Sequence, residues 1–243
     1  VAGRSFIESS VPPAAFLPDL AGLLPPETED GMVLKAAFRI FAAAAFLAAS
    51  TPAAFSHPHV ATTVRGELVF GKDGAVSGIR YAWTFDEFFS EFATQGLDTN
   101  KDGIFSREEL AELAKVNVET LQESDYFTFG KSGEGKLAFG QPVDYWLEYK
   151  EKLLTLHFTL PVKSGALKNG VSLDVFDPTY FVAFSFAEQN PVKLVDAPAN
   201  CSLEVKRPSQ LSGPQKPESF FNSLAPSSDF GAQFANSVTV TCK

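Results

Sequence analysis

Sulfur and imidazole are scarce in this chain. It carries two cysteines, one methionine and three histidines in 243 residues, and each shortage removes a class of function. Cys201 and Cys242 lie far apart, so neither a zinc-type cysteine cluster nor a C-x-x-C redox pair can be built from them. No glycine-rich phosphate loop and no G-x-S-x-G motif is present, which leaves phosphate cradling and nucleophile-elbow hydrolysis without a carrier. Formal net charge is −9 and no basic block stands out, so a nucleic-acid partner is not expected. What the chain has in plenty is phenylalanine. Its 24 Phe within 45% apolar content are enough for one sizeable aromatic core or two small ones.

One stretch organises the rest. Residues 98–109 read as a twelve-residue calcium loop of the EF-hand type, with oxygen ligands at positions 1, 3, 5, 9 and 12: Asp98, Asn100, Asp102, Ser106 and Glu109. Position 7, Ile104, needs to supply only its backbone carbonyl. Gly103 stands at position 6, where the chain must turn with a positive φ. Glu109 is the expected bidentate ligand, and an all-oxygen shell suits a hard cation such as Ca²⁺. The flanks read as helices. Phe88, Phe89 and Phe92 form an apolar stripe behind a Thr84/Glu87 capping box. Leu110, Leu113, Ala114, Val118 and Leu121 form a second stripe behind a Ser106/Glu109 capping box. A helix-loop-helix insert over about 85–123 follows. No second loop is found to pair with it, which points to a fixed structural or weak extracellular-type site; an acidic turn that binds nothing is the alternative.

The chain before this domain has a different character. Residues 1–31 are proline-rich, lack a sustained period and end at the single methionine, Met32. From there Lys35 and Arg39 form a positive segment, residues 40–49 an apolar run, and Ala54-Phe55-Ser56 a small-residue cleavage site. That is the pattern of a secretory signal peptide over 32–56, its apolar run too short to span a bilayer. The expected product is a periplasmic or secreted protein of residues 57–243 with no stable membrane insertion after cleavage; an uncleaved anchor is the alternative. Export favours one disulfide between Cys201 and Cys242 over two buried thiols.

Cleavage there would leave His57 as the first residue, followed by Pro58 and His59. A free α-amine and the His57 imidazole can chelate one metal, and His59 projects to the same side of an extended strand. Pro58 has no amide N–H, which denies a square-planar site built on deprotonated amides. Amine plus two imidazoles remains, with His157 as a further candidate ligand. Such a set suits Zn²⁺, Ni²⁺ or Cu²⁺. Solvated terminal residues are the alternative.

The remaining pattern is short alternating strands separated by Gly, Pro or Asn. Residues 62–70 and 76–84 form a hairpin across 71–74, and further strands are expected at 126–129, 144–149, 153–160, 171–176, 180–186, 192–195 and 237–242. Residues 207–233 read as a long surface excursion with one short helix near 220–224, and Trp83, Tyr145 and Trp146 as core, with the lining of a pocket as the alternative. The fold class is α+β, mostly β: an antiparallel β-sandwich or paired small sheets carrying the helix-loop-helix.

Three stretches carry a family resemblance: His57-Pro58-His59-Val60, Trp83-Thr84-Phe85-Asp86-Glu87-Phe88 and Phe176-Asp177-Pro178-Thr179-Tyr180-Phe181. They resemble the DUF1007 family of bacterial periplasmic proteins, described as components of an uncharacterised ABC-type transport system. Ala61 departs from the aromatic residue common in that family. The resemblance implies a place beside nickel, cobalt or other metal transporters. The expected function is a non-enzymatic, exported, calcium-stabilised accessory protein that handles a transition metal and partners a membrane metal transporter. Its rivals are an adaptor or solute-binding subunit with structural calcium only, and a copper redox enzyme built on the N-terminal histidine.

Overall fold

Val60, Thr62, Val64, Gly66, Leu68 and Phe70, at every second position, bury one face of β1 (Val60–Phe70), which forms the axis of the larger sheet. The computed structural model describes residues 58–164, 170–208, 218–224 and 229–243. The expected extension (1–31), the signal peptide (32–56) and His57 lie outside the described residues. From β1 the chain turns back through Gly74, whose φ of 77° a Cβ would disfavour, into the antiparallel β2 (Val76–Phe85). β2 then pairs with β7 (Leu153–Ser164), whose far edge takes β5 (Ala138–Phe139) and β6 (Val143–Lys150). On its own far edge β1 takes β9 (Val182–Phe186) and β10 (Val192–Val195), one after the other and both parallel. These two parallel pairings depart from the expected antiparallel pattern.

The second sheet is antiparallel throughout. Its order is β11 (Cys201–Lys206), β12 (Asn236–Cys242), β8 (Gly170–Val175), β3 (Thr128–Ser132) and β4 (Gly135–Lys136). The inner faces of both sheets feed one core. Trp83, 2% exposed, is its centre, with Phe158 and Phe184 edge-on at 4.9 and 5.0 Å. Two polar ties cross between the sheets: Tyr81 Oη lies 3.2 Å from Thr128 Oγ1, and Asn236 donates to the Phe184 carbonyl at 2.7 Å while accepting from Phe186 N. Burial pushes the Tyr81 phenol far above its ordinary value, so that tie stays neutral. The architecture is α+β and mostly β, as the alternating segments imply.

The expected disulfide is present. Cys201 and Cys242 face each other in register at the open end of β11 and β12, 41 residues apart in sequence. Closing a loop of that length stabilises the fold by about 4 kcal/mol in the chain-entropy model.

The helical insert is the passage from one sheet to the other. It leaves the end of β2 as α1 (Glu87–Ala93), crosses the loop, returns as α2 (Ala111–Leu121) and enters β3. Two expectations are corrected here. Asp86, not Thr84, caps α1 by accepting from Phe89 N at 2.8 Å, because Thr84 is still in β2 and faces Thr155 at 3.0 Å. The buried stripe is also shifted: Phe89 rests on Phe85 at 4.9 Å, while Phe88 and Phe92 are 80% and 64% exposed. Leu110, Ala114, Val118 and Leu121 are buried as their spacing implies. Residues 126–129 are not one strand; Asp125, Tyr126 and Phe127 take positive φ, and β3 begins only at Thr128.

A second aromatic cluster, Tyr180, Phe221 and Phe234, closes the C-terminal excursion, with α3 (Glu218–Asn222) at the expected short helix. It is anchored on the turn at Asp177, whose carboxylate accepts from Thr179 N, Thr179 Oγ1 and Val182 N at 2.8, 2.8 and 2.9 Å. Gly231 donates to Pro178 O at 2.9 Å, so close to the turn that a Cβ would collide with the Asp177 carbonyl. Asp177 is therefore a structural residue of the third stretch that carries the family resemblance.

Candidate functional site

Asp98, Asp102 and Glu109 are turned back onto the loop's own backbone, as is the side-chain amide of Asn100, while Glu108 is exposed. Asp98 accepts from Asp102 N and Gly103 N at 3.2 and 3.0 Å. Asn100 Oδ1 accepts from Asp102 N at 2.9 Å, and Asp102 Oδ1 from Ile104 N at 2.7 Å. Gly103 has φ 81°, the left-handed geometry its position requires, and Lys101 shares that sign at 61°. Glu109 spans the loop. One carboxylate oxygen accepts from Thr99 N and Oγ1, both at 2.9 Å, and the other from Ser106 N and Oγ at 3.0 and 2.8 Å. Glu109 N donates to Ser106 Oγ, so the expected reciprocal Ser106/Glu109 bonds are present, but they close the turn before α2, which starts at Ala111 with Leu110 as its N-cap and no side-chain cap bond. Hydrogen bonds from Ser106, and then from Thr99, hold the Glu109 carboxyl down at about 2, so it stays ionised at neutral pH.

The loop leans on the sheet rather than on a second loop. Phe105 meets Tyr149 of β6 edge-on at 4.7 Å. Arg107 lays its guanidinium 4.6 Å over the Trp146 ring, a cation–π contact. On the α1 side, Ser90 Oγ donates to Asp86 O at 2.6 Å and accepts from Leu154 N of β7 at 2.9 Å. These contacts position both flanks of the loop. The periodicity of the helices did not reveal them, because Tyr149, Trp146 and Leu154 lie 37 residues or more further along the chain.

The donor set fits a hard cation: three carboxylates, an amide oxygen, a hydroxyl and the Ile104 carbonyl within twelve residues. Each oxygen of Asp98 and Asp102 accepts one hydrogen bond and keeps a lone pair for another partner, whereas both Glu109 oxygens already accept two or more, so bidentate binding there would displace bonds from Thr99 and Ser106. Among the described residues no group of three or more His, Cys, Asp or Glu side chains is drawn together as a metal cluster.

The histidines are separated. His59 precedes β1, donates its amide to Phe181 O at 2.9 Å and stacks on the Phe181 ring at 4.6 Å. His157 sits on the outer face of β7, in a cross-strand row with Ala82 and Arg65. Six residues of extended strand separate His59 from Arg65, roughly 20 Å. The structure therefore does not bring His157 to His59 as a further ligand. His157 instead stacks on Trp146 at 4.7 Å and 8°. Its buried Nε2 lies 3.5 Å from Glu148 Oε2 and makes no hydrogen bond; burial lowers its pKa, against an opposing pull from Glu148. Trp146 and Tyr145 are not core residues, because both face outward from β6, and Tyr145 is exposed.

No helix among the described residues is long and apolar enough to cross a membrane. A family model described as "Protein of unknown function (DUF1007)" matches residues 42–242. The chain is 21% identical over 197 residues to an uncharacterized protein of Haemophilus influenzae, covering 77% of this chain and 92% of that protein. No solved structure matches the chain.

Proposed function

The chain belongs to the DUF1007 family, and from that premise we propose that it is an exported calcium-binding accessory protein whose site is the loop 98–109. One observation carries the reading. Glu109, last in the loop, is tied across to Thr99 and back to Ser106, with Gly103 left-handed between them. A bidentate carboxylate at position 12 needs that placement. Asp98, Asn100, Asp102, Ser106 and Glu109 would supply side-chain oxygens, and Ile104 its carbonyl. The ion would supply charge neutralisation to a loop that holds four carboxylates, three of them in the ligand set, and with it rigidity. The Cys201–Cys242 disulfide supports an oxidising, exported location.

The finer reading adds a transition metal, Zn²⁺, Ni²⁺ or Cu²⁺, held by the mature N-terminus for a membrane metal transporter. It rests on His57 and His59 alone, without His157. The role is binding rather than catalysis.

Calorimetric titration of the mature chain with CaCl₂ tests the calcium site. One equivalent bound by the parent, and an affinity at least about tenfold lower in Glu109→Gln, is expected. A parent that takes up no calcium, or a Glu109→Gln chain that binds equally well, contradicts the site. A separate titration with ZnCl₂, NiCl₂ and CuCl₂ in saturating calcium tests the finer reading, which fails if His59→Ala leaves the affinity unchanged.

A further inference from the structure

The outer face of the larger sheet carries a groove of about 470 Å³, within the range of small-molecule sites. Its floor is a row of four side chains across four strands: Arg65, Ala82, His157 and Trp146. Trp146 reaches that row through an irregularity in β6. Val143 pairs with Thr159 and Trp146 with His157, one residue more than regular pairing would use, so Trp146 rather than Tyr145 stands beside His157. Along the row the planar groups stack at the spacing of the strands. Arg107 covers one face of Trp146 at 4.6 Å and His157 covers the other at 4.7 Å.

The stack then stops. Ala82 has no ring, and Arg65 is the next large side chain. Two strand spacings separate the His157 and Arg65 positions, about 9.5 Å. A flat ring in van der Waals contact on both faces takes up about 7 Å of that. The gap above Ala82 is thus one aromatic ring thick, bounded by the His157 ring on one side and the Arg65 side chain on the other; a guanidinium stacks on rings and pairs with carboxylates.

Charge selects the ligand's sign. Arg65 Nη1 is steadied by the Gln189 carbonyl at 2.8 Å, not by a carboxylate. Lys193 lines the same groove and makes no hydrogen bond or ion pair among the described residues. Arg80 is already matched by Glu67 at 2.8 Å. Glu67 is the cross-strand neighbour of Lys193 but pairs with Arg80, so with Asp144 on the rim the three cations and two carboxylates of the lining leave one net positive charge, enough to favour a monoanion.

We propose that this groove binds a planar aromatic or heteroaromatic carboxylate, its ring slotted over Ala82 between His157 and Arg65, its carboxylate held by Arg65 and Lys193. The site shares no ligand with the calcium loop, but Arg107 of that loop forms its outer buttress.

The test is calorimetric titration of the mature chain, in saturating calcium, with benzoate, nicotinate and indole-3-carboxylate. Cyclohexanecarboxylate (same charge, not flat) and nicotinamide (flat, uncharged) serve as controls. The expected result is a Kd of about 1 mM or tighter for at least one planar carboxylate, with both controls at least about tenfold weaker. Ala82→Leu, which fills the slot, should abolish binding, and Arg65→Gln should weaken it about tenfold or more, each with the parent's melting temperature. The proposal is overturned if all three planar carboxylates give no heat at about 10 mM. Equal binding of cyclohexanecarboxylate overturns it too, as does an Ala82→Leu chain that folds and binds like the parent.

Discussion

The loop 98–109 and the outer face of the large sheet are built from similar polar side chains, and they are held in opposite ways. In the loop Asp98, Asp102 and Glu109 each satisfy a backbone N–H at most ten residues away, so the arrangement is built from local contacts. On the sheet, Arg65, Ala82, His157 and Trp146 come from strands up to 92 residues apart in sequence, and nothing but pairing register sets them side by side. Local sites announce themselves in sequence; register-built sites do not. Arg107 is where the two meet, with its backbone in the loop and its guanidinium on Trp146.

Breaking a long-range tie should cost the most. A Cys201→Ser/Cys242→Ser chain is expected to lose about 4 kcal/mol in urea unfolding, with the loop's calcium affinity little changed. Calcium at a hundredfold excess over Kd should stabilise the parent by about 2.7 kcal/mol, seen as a raised melting temperature, and Glu109→Gln should remove most of that gain. Ser90→Ala leaves the buried Leu154 amide without its acceptor, at a cost of roughly 1–3 kcal/mol, because α1 loses its bond to β7. Arg107→Ala should cost only about 0.5–1 kcal/mol, yet uncouple Trp146 fluorescence from calcium. An emission response that survives this change would place the coupling elsewhere.

The smallest effect concerns pH. The Glu109 carboxyl lies at about 2 in the fold against 4.5 unperturbed, so the unfolded chain binds more protons between those values. Its contribution to stability is present above pH 4.5 and is lost as pH falls toward 2. In calcium-free buffer the melting-temperature gap between parent and Glu109→Gln should therefore narrow across that window.

How much was legible follows the same division. The left-handed turn at Gly103, the Ser106–Glu109 bonds, the α2 stripe and the first hairpin depend on spacing within a dozen or two residues, and their sequence signals match the structure. The α1 cap was misplaced by two residues because Thr84 and Asp86 are both good caps, and the strand's pairing with Thr155 decides between them. β11 escaped notice although Cys201–Lys206 alternates strictly, since a proline-rich surround obscures a six-residue strand. The parallel placement of β9 and β10 and the Arg107–Trp146–His157 stack carry no local signal at all. A histidine's partners in a sheet are fixed by neighbouring strands, so scarcity of histidine could not reveal that His157 and His59 stand far apart.

Amide NMR of the ¹⁵N-labelled mature chain during a CaCl₂ titration tests the calcium loop most directly. Gly103 N donates to Asp98 and Ile104 N to Asp102, so both resonances should move and saturate at one equivalent, while Val182 N, bonded to Asp177, stays in place. A chain in which Gly103 and Ile104 remain unmoved at millimolar calcium, or in which only residues outside 98–109 respond, would contradict the account.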